Sequence, residues 1–409
     1  MIFLLAACTH APDDSTPGHR DTADSLPVVG DDSVDTVDTS HDSPDTSDTG
    51  GCGDIPLDEA GYAALYDSRA VHSYGITLSD AAVTALGVDP ATYVPAHVTV
   101  DGTVLHDVGL KMRGDSTQER WDGKPGFKIG LRAFTNCDAF ASVEHLMLNA
   151  GLDDPTQARE VISATVLANG GTVVPLATFA TVSVNGESFG LYTSVEAVEG
   201  TFIQHHWGVG TGLLWEGGDG ADFSGRGQGE WNDLGGGGDP ATIEAVSNVV
   251  ATAGDDFYAQ ADALVDMDQV LTEWSWLAAI GHLGAFPYAT KDVYLYQPAD
   301  DSRFEAVPWG LDEGWDAEFG WNYTDTALGL RCVYDPTCVA ALKTHIEAAL
   351  AQSSSLDVPS IASAAFALSD SAMQADPRRG TSRTEVATAR SALSATITGW
   401  PALVRSQLQ

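Results

Sequence analysis

The chain has 409 residues, of which 44% are apolar and 8% aromatic, so it can build a hydrophobic core and is not disordered throughout. It carries 19 lysine and arginine residues against 58 aspartate and glutamate residues, a formal net charge of −39. Phosphate repels such a chain, which excludes sequence-independent binding to DNA or RNA and docking on anionic lipid through a basic patch.

The first residues are typical of a bacterial lipoprotein signal. Leu5-Ala6-Ala7-Cys8 resembles a lipobox, in which the signal is cut before a cysteine that then receives a lipid. No basic segment precedes it and the apolar stretch is short, so we expect the signal to begin upstream of Met1. The alternative is an ordinary apolar start with a chance cysteine. The lipoprotein interpretation predicts an exported protein, in the bacterial periplasm or at the cell surface, that contacts a membrane only through the lipid on Cys8.

Residues 9–51 are predicted to form a disordered tether. The stretch contains eleven aspartates, one arginine and five Asp-Thr pairs, and it is almost free of large apolar side chains. It cannot bury enough surface to offset the loss of chain entropy, and its like charges extend it further. We expect it to hold a folded domain away from a membrane.

From Cys52 onward the pattern predicts a mixture of short helices and strands. Ser79 or Asp80 is expected to cap the first helix, and Asp101-Gly102 and Asn185-Gly186 are typical of tight hairpin turns. The predicted elements are a helix over Thr77–Leu86, strands over Ala96–Val100, Val104–Met112 and Gly126–Leu131, a helix over Pro155–Ala168, and strands over Val173–Val184 and Glu187–Val195.

Glycine is concentrated between Gly208 and Gly238, where 13 of 31 residues are glycine. This composition predicts a flexible loop or lid without regular structure. The elements expected beyond it are a helix over Asp262–Ile280, short strands over Val293–Tyr296 and Phe304–Trp309, and helices from Val339 to the end. The layout predicts an α+β protein with a strand-rich N-terminal half and a helix-rich C-terminal half.

Cysteine usage fits an exported protein. With Cys8 set aside, four cysteines remain, and none has the CxxC spacing of a metal site. In an oxidising compartment Cys332 and Cys338 could close a tight loop, and Cys52 could bond to Cys137. Free buried thiols are the alternative.

Six of the nineteen basic residues fall within 22 positions: Lys111, Arg113, Arg120, Lys124, Lys128 and Arg132. In so acidic a chain, a local positive field of this kind is suited to holding a phosphate or carboxylate. Pairing with the abundant surface carboxylates is the equally weighted alternative.

Two motifs follow one another in the basic stretch, Arg113-Gly114-Asp115-Ser116 and Lys124-Pro125-Gly126-Phe127-Lys128-Ile129. They resemble motifs of the CotH family of spore-coat-type, kinase-like proteins. The resemblance continues in order over roughly residues 70 to 320, through Asp154-Pro155 with Arg159-Glu160, Val184-Asn185-Gly186, Gly190-Leu191-Tyr192 to Glu196, Val265-Asp266-Met267-Asp268, Tyr294-Leu295-Tyr296, Arg303-Phe304 and Pro308-Trp309.

The resemblance implies an atypical protein-kinase-like fold over residues 52–325, followed by a helical extension over 326–409. For active members it implies ATP-dependent phosphorylation of protein serine, with Mg²⁺ or Mn²⁺ as the accompanying metal. It makes Lys128 and Glu160 candidates for the phosphate-orienting ion pair, with Arg113 near the phosphates. Lys124 is the substitute for Lys128 if that side chain points outward.

The acidic half of the motif departs from the family pattern. Gly284 and Gly310 stand where the family has aspartates, and a glycine supplies neither a base nor a metal ligand. Asp292 and Asp312, with Asp316, are the remaining candidates to gather a metal ion, and Asp292 is the candidate catalytic base. Ordinary surface acids are the alternative.

The sequence therefore predicts a surface lipoprotein with a kinase-related domain that binds ATP and metal but has degraded catalytic acids. One alternative is an active serine kinase that uses displaced acids. Another is a non-enzymatic scaffold or adhesion module that binds a surface partner.

Overall fold

The computed structural model describes residues 55–113, 120–134, 139–208, 211–235, 237–315 and 320–409. The strands in these residues are β1 (Val71–Thr77), β2 (Val94–Val100), β3 (Thr103–Arg113), β4 (Gly126–Gly130), β5 (His145–Asn149), β6 (Ala177–Val184), β7 (Glu187–Val195), β8 (Gly212–Gly217), β9 (Trp231–Asp233), β10 (Val293–Pro298) and β11 (Glu305–Pro308). The helices are α1 (Glu59–Leu65), α2 (Asp80–Leu86), α3 (Arg159–Asn169), α4 (Gly200–Trp207), α5 (Pro240–Thr252), α6 (Phe257–Asp262), α7 (Met267–Ile280), α8 (Ala327–Tyr334), α9 (Pro336–Ser355), α10 (Val358–Ala375) and α11 (Arg383–Leu408). The expected α+β character is confirmed.

The first seven strands form a closed sheet in the order β1-β2-β3-β4-β5-β7-β6. Neighbouring strands are antiparallel except for β1 and β6, which are parallel. Side chains alternate between the two faces of each strand, and one set fills the interior of the closed sheet, including Val98, Leu110, Phe127 and Leu146. The outer face of the same strands is left free to pack against helices and to carry polar groups.

A second sheet of four strands follows, in the order β11-β10-β8-β9 with every pairing antiparallel. The β10–β11 hairpin leads directly into a short 3-10 turn at Leu311–Glu313. This turn packs against α3, the helix that covers the outer face of the first sheet. Groups from both sheets are therefore brought to one place.

The C-terminal helices share a single core with the middle of the chain. Trp276 in α7, Leu342 in α9 and Ile397 in α11 belong to the same buried cluster as Ile162 in α3. Helix α10 also contacts α3 and β7. Residues beyond 326 thus contribute to the same hydrophobic core as residues 158–321.

Both hairpin turns were predicted correctly. Asp101 and Asn185 have positive φ angles of 48° and 50°, and the glycine after each also has a positive φ, which matches the turn that two-residue hairpins prefer. Asn185 also accepts a hydrogen bond from the backbone N of Leu78, so its side chain ties the turn to the segment before α2.

The glycine-rich segment was predicted wrongly. It contains two strands, β8 and β9, which pair with each other and join β10. A side chain on Gly212 would come within 2.4 Å of Tyr296, and one on Gly217 within 2.9 Å of Val293. Glycine here permits close packing of neighbouring strands, and Trp215 and Trp231 supply the buried anchors.

Two helices begin later than the sequence predicts. The Asp154 side chain accepts hydrogen bonds from the backbone N atoms of Thr156, Ala158 and Arg159, so it holds a turn ahead of α3. Asp266 caps α7 by accepting from the backbone N of Gln269, after α6 has already ended. In both cases an aspartate satisfies backbone donors that a longer helix would have used.

Among the described residues, no helix combines the length and apolar character needed to cross a membrane. Cys8 and the tether over 9–51 lie outside those residues, as do Asp316, Cys52 and Cys137.

Candidate functional site

The candidate site lies where the ends of β3 and β5 approach α3 and the turn after β11. Arg113 is the last residue of β3, and Asn149 is the last residue of β5. Glu160 lies in the first turn of α3 and is buried. Asp312 lies in the turn that packs against α3. Strand ends and a helix start thus bring these polar side chains together.

Arg113, Asn149 and Glu160 form a continuous hydrogen-bonded chain. The Nη1 atom of Arg113 donates to Oδ1 of Asn149. The Nδ2 atom of Asn149 donates to both carboxylate oxygens of Glu160, at 2.9 and 3.1 Å. A guanidinium and a carboxylate are therefore held apart by one amide, which fixes the orientation of both.

The carboxyl group of Glu160 is in an environment that favours its protonated form. Burial and the nearby charge of Asp312 raise the pKa of Glu160 to about 8, although Asn149 and Arg113 act in the opposite direction. Burial also raises the pKa of Asp312, and the charges of Glu313 and Asp154 add to that effect. Several acids therefore repel one another at this point, and a bound cation would relieve the repulsion.

A second acidic group surrounds Asp292, immediately before β10. Lys291 Nζ lies 3.1 Å from Asp292 and 2.7 Å from Glu313. Burial raises the pKa of Asp292 to about 6, with Lys291 lowering it and Glu313 raising it. A carboxylate with a pKa near 6 can accept a proton at neutral pH, which is what a general base must do.

The two glycines that replace expected acids both lie against carboxylates of other residues. A Cβ atom on Gly284 would be 1.8 Å from Oε2 of Glu313, and one on Gly310 would be 3.0 Å from Cγ of Asp292. Gly310 also has a φ of 62°, in the left-handed region that favours glycine. The missing side chains thus leave room that acids from neighbouring positions occupy.

Trp309 links the cationic and acidic parts of the site. The guanidinium of Arg113 lies 5.9 Å from the centroid of its ring. Its backbone N donates to the carbonyl O of Asp292 at 2.9 Å, and its carbonyl O lies 3.3 Å from Nε2 of the buried His282. Tyr294 packs edge-on against the Trp309 ring, with centroids 5.7 Å apart. Arg113 therefore contacts the ring of Trp309, while Asp292 is hydrogen-bonded to its backbone.

Some buried polar atoms in this region lack a hydrogen-bond partner among the described residues. They include Nε of Arg113, Oε1 of Gln157 and Oγ of Ser163. Buried donors and acceptors are normally satisfied. An orphaned guanidinium donor beside a group of acids fits a site that takes up a phosphate together with a divalent cation.

Lys128 and Glu160 each have other defined interactions. Lys128 lies opposite Lys111 across β3 and β4. Burial acts to raise the pKa of Glu199, but His145 and, to a smaller extent, the charge of Lys128 lower it. Glu160 interacts electrostatically with Arg113. A direct Lys128–Glu160 ion pair stays a prediction.

Lys124 is not open to a phosphate in this structure. Its side chain is 2% exposed, and its ammonium group lies 2.8 Å from Oδ2 of Asp376, whose side chain is fully buried. Burial lowers the pKa of Lys124, although Asp376 acts in the opposite direction. The sequence could not identify this partner, which lies 252 residues away. A phosphate-binding role for Lys124 as a substitute for Lys128 stays a prediction.

The expected metal ligands Asp292 and Asp312 lie in two acidic groups that share Glu313. Asp292 and Asp312 do not join a group of three possible ligands within the described residues, whereas Glu144, His145 and Glu199 do. In that group Oε1 of Glu199 already accepts from the backbone N of Glu144 and of His145, and Oε2 lies 2.6 Å from Nδ1 of His145. Metal binding by Asp292 and Asp312 stays a prediction.

One disulfide is confirmed. Cys332 and Cys338 are bonded and connect the end of α8 to the start of α9. The other expected pair, Cys52 and Cys137, lies outside the described residues.

Sequence reasoning missed three residues of the site: Asn149, His282 and Glu313. Asn149 had a usable signal, because it is a single amide at the end of the apolar run Leu146–Leu148. Glu313 directly follows a predicted ligand, but nothing in the sequence shows that it reaches back to Gly284.

Comparison with known proteins identifies the family of the chain. The family model described as CotH kinase protein matches residues 110–336, which is 227 of the 409 residues. Inner spore coat protein H of Bacillus subtilis strain 168 is 25% identical over 240 residues, which are 54% of this chain and 62% of that protein. The chain therefore spans less than two thirds of that relative's length. Because the family model covers more than half of the chain, this protein belongs to the CotH family.

Proposed function

We propose that this protein binds ATP together with Mg²⁺ or Mn²⁺ at the site formed by Arg113, Asn149, Glu160 and Asp312 and transfers phosphate poorly or not at all. The observation that carries the proposal is the position of Arg113, which is bonded to Asn149 on one side and lies over Trp309 on the other. Arg113 supplies a cation suited to phosphate, and Asp292 and Asp312 are the acids that we propose for the divalent metal.

A kinase-related fold is part of the proposal. The family description names a kinase, and the closed sheet with a buried glutamate on its covering helix fits the general requirements of such a site. The β10–β11 hairpin, with Asp292 before it and Asp312 after it, would supply the metal-binding acids. ATP would provide the transferable phosphoryl group, and Arg113 would orient its phosphates.

The residues present fit ATP and metal better than they fit catalysis. Arg113 has a buried donor to spare, and the raised pKa values of Glu160 and Asp312 mark a group of acids that a cation would stabilise. The two family aspartates, however, are glycines at 284 and 310. This loss supports binding with degraded phosphotransfer.

We further propose that the protein is exported and attached to a membrane by a lipid on Cys8, with residues 9–51 as the tether. The lipobox and the aspartate-rich stretch support this location. The relative from Bacillus subtilis is by its name an inner spore coat protein, which agrees with a surface-associated role.

The first test is calorimetric titration of the full chain with ATP, with and without Mg²⁺ or Mn²⁺. Metal alone is the necessary control, because a chain with a net charge of −39 binds divalent ions nonspecifically. We expect saturable binding that Arg113→Ala and Lys128→Ala weaken. Lys343→Ala is the matched control, since Lys343 lies on α9 and packs against Trp321. Absence of binding at millimolar ATP contradicts the proposal and leaves a non-enzymatic scaffold or adhesion module.

A second candidate function, an active serine kinase with displaced acids, is favoured by one specific observation. The carboxylates of Asp292 and Glu313 lie against Gly310 and Gly284, where the family's acids are missing. Asp292, with a pKa of about 6, would then serve as the base. Radiolabel transfer from ATP that is lost in Asp292→Asn and in Asp312→Asn supports this candidate. ATP binding without transfer leaves the degraded form of the site.

A further inference from the structure

The segment 120–125, which leads into β4 at Gly126, is held by a part of the chain outside the family match. Gly126 pairs with Arg113, the last residue of β3. The turn between α10 and α11, which we call the C-terminal turn and define as residues 376–379, contacts that segment. These four residues lie beyond residue 336, where the match ends.

Asp376 provides the buried part of this contact. Its Oδ2 atom lies 2.8 Å from Nζ of Lys124 and accepts from the backbone N of Leu191 at 3.0 Å. A Cβ atom on Gly190 would lie 2.0 Å from its Oδ1 atom, so the carboxylate occupies space that only glycine leaves open. Because the pair is buried, loss of either partner would leave an uncompensated charge inside the protein.

Arg378 provides the second part of the contact and donates hydrogen bonds to the backbone of the segment. Its Nη1 atom donates to the carbonyl O of Gly123 at 2.6 Å and of Trp121 at 3.1 Å. Its Nη2 atom donates to Glu187 at 2.8 Å, and its guanidinium lies 3.4 Å from the centroid of the Phe189 ring. One side chain therefore fixes two carbonyls of the segment against β7.

A third contact completes the anchoring at the start of β4. The hydroxyl of Tyr192 donates to the carbonyl O of Pro125 at 2.9 Å, and Lys124 lies over the Tyr192 ring. The segment is thus bonded at Trp121, Gly123, Lys124 and Pro125. Anchoring at four of six residues exceeds what is needed to join two strands of a hairpin.

We infer that Asp376 and Arg378 are positioning residues that hold the segment 120–125, which leads into Gly126 opposite Arg113, in the conformation required for ATP binding. The inference rests on the proposed function, since it assumes that Arg113 and its neighbours contact ATP. A segment that is already ordered loses less conformational entropy when a ligand binds. Residues outside the family match would in this way set the affinity of the site.

The test uses the full chain and the variant Arg378→Ala, because Arg378 is partly exposed and its removal leaves the buried Lys124–Asp376 pair in place. We expect faster hydrogen exchange in residues 120–125 and about tenfold weaker binding of ATP with Mg²⁺, the effect of ordering roughly one residue's backbone. Glu187→Gln is the matched control, since it removes only the exposed partner of Arg378 and should change neither measurement. Arg378→Lys keeps the positive charge but not the two donor nitrogens of the guanidinium, so its affinity for ATP should lie between those of Arg378→Ala and the wild type.

Two results overturn the inference. The first is that hydrogen exchange in residues 120–125 of Arg378→Ala is the same as in the wild type. The second is that hydrogen exchange there is faster, but Arg378→Ala binds ATP with the wild-type affinity. A merely structural role would lower the melting temperature without changing the affinity of the folded protein. If the wild-type chain does not bind ATP at all, the proposed function fails, and the exchange measurement alone then shows whether the C-terminal turn orders the segment.

Discussion

Glu160 gives the most direct test of the electrostatics of the candidate site. Burial and Asp312 raise its pKa from an ordinary value of 4.5 to about 8. The folded protein therefore holds a proton on Glu160 that the unfolded chain has released between these two pH values. By linkage, this group makes the protein less stable as pH rises from about 4.5 to about 8. Replacement of Glu160 by glutamine, which cannot ionise, should remove this loss of stability at high pH.

The magnitude follows from the size of the shift. One pKa unit corresponds to about 1.4 kcal/mol, so the full shift amounts to about 5 kcal/mol above pH 8. The free energy of unfolding of Glu160→Gln should exceed that of the wild type by up to this amount at pH 9. At pH 4.5 the two proteins should differ by less than about 0.5 kcal/mol.

The assay is urea denaturation of both proteins at several pH values in the presence of EDTA. Taking the difference between variant and wild type cancels the titration of all other groups. Glu187→Gln controls for the loss of one glutamate at the surface, where Glu187 is largely exposed. The reasoning is refuted if the free energies of unfolding of Glu160→Gln and the wild type differ by the same amount at pH 5 and at pH 9. Added Mg²⁺ should reduce the difference at pH 9, because a cation beside Asp312 favours the ionised form of Glu160.

Three further predictions concern stability. Gly310→Asp should lower the free energy of unfolding, measured by urea denaturation, by about 1–2 kcal/mol, because residue 310 has a left-handed backbone and lies next to Asp292. Adding Asp292→Ala to this variant should recover part of the lost stability. Replacing Cys332 and Cys338 with alanine should remove about 2 kcal/mol, estimated for so short a loop, and a melting temperature unaffected by a reducing agent would contradict this. Leu393→Ala in α11 should cost about 2–5 kcal/mol, and a loss below 1 kcal/mol would show that α11 is not part of the core.

Local features of the fold could be predicted from the sequence because their causes are local. Asn185-Gly186 determines its hairpin through the backbone angles of two residues, and Ser79 caps α2 through one side chain. The order of the motifs also identified the family. The starts of α3 and α7 were harder. Asp154 directly precedes the predicted start but accepts from the backbone N of Arg159, five residues on, and Asp266 caps α7 four residues after the predicted start at Asp262.

Contacts between distant residues could not be predicted from a single sequence. Lys124 has the same charge as Lys128 and lies near it in the chain, yet only the folded chain shows that Asp376 neutralises it. The high glycine content led to the wrong prediction of a loop at Gly212 and Gly217 for a related reason. Glycine there reflects the close approach of β10, which lies some 80 residues further along the chain and leaves no signal in the local pattern.

At the two glycines of the acidic motif, the sequence and the folded structure lead to different conclusions about where carboxylates lie. In the sequence, Gly284 and Gly310 stand at positions where the resemblance leads us to expect aspartates. In the folded chain, Glu313 and Asp292 place carboxylates against the same two glycines. Reintroducing aspartate at either position would therefore bring a second negative charge next to an existing one, which raises the pKa of both groups. Restoring the family residues one at a time should thus fail to restore a metal site unless the neighbouring acid is removed in the same variant.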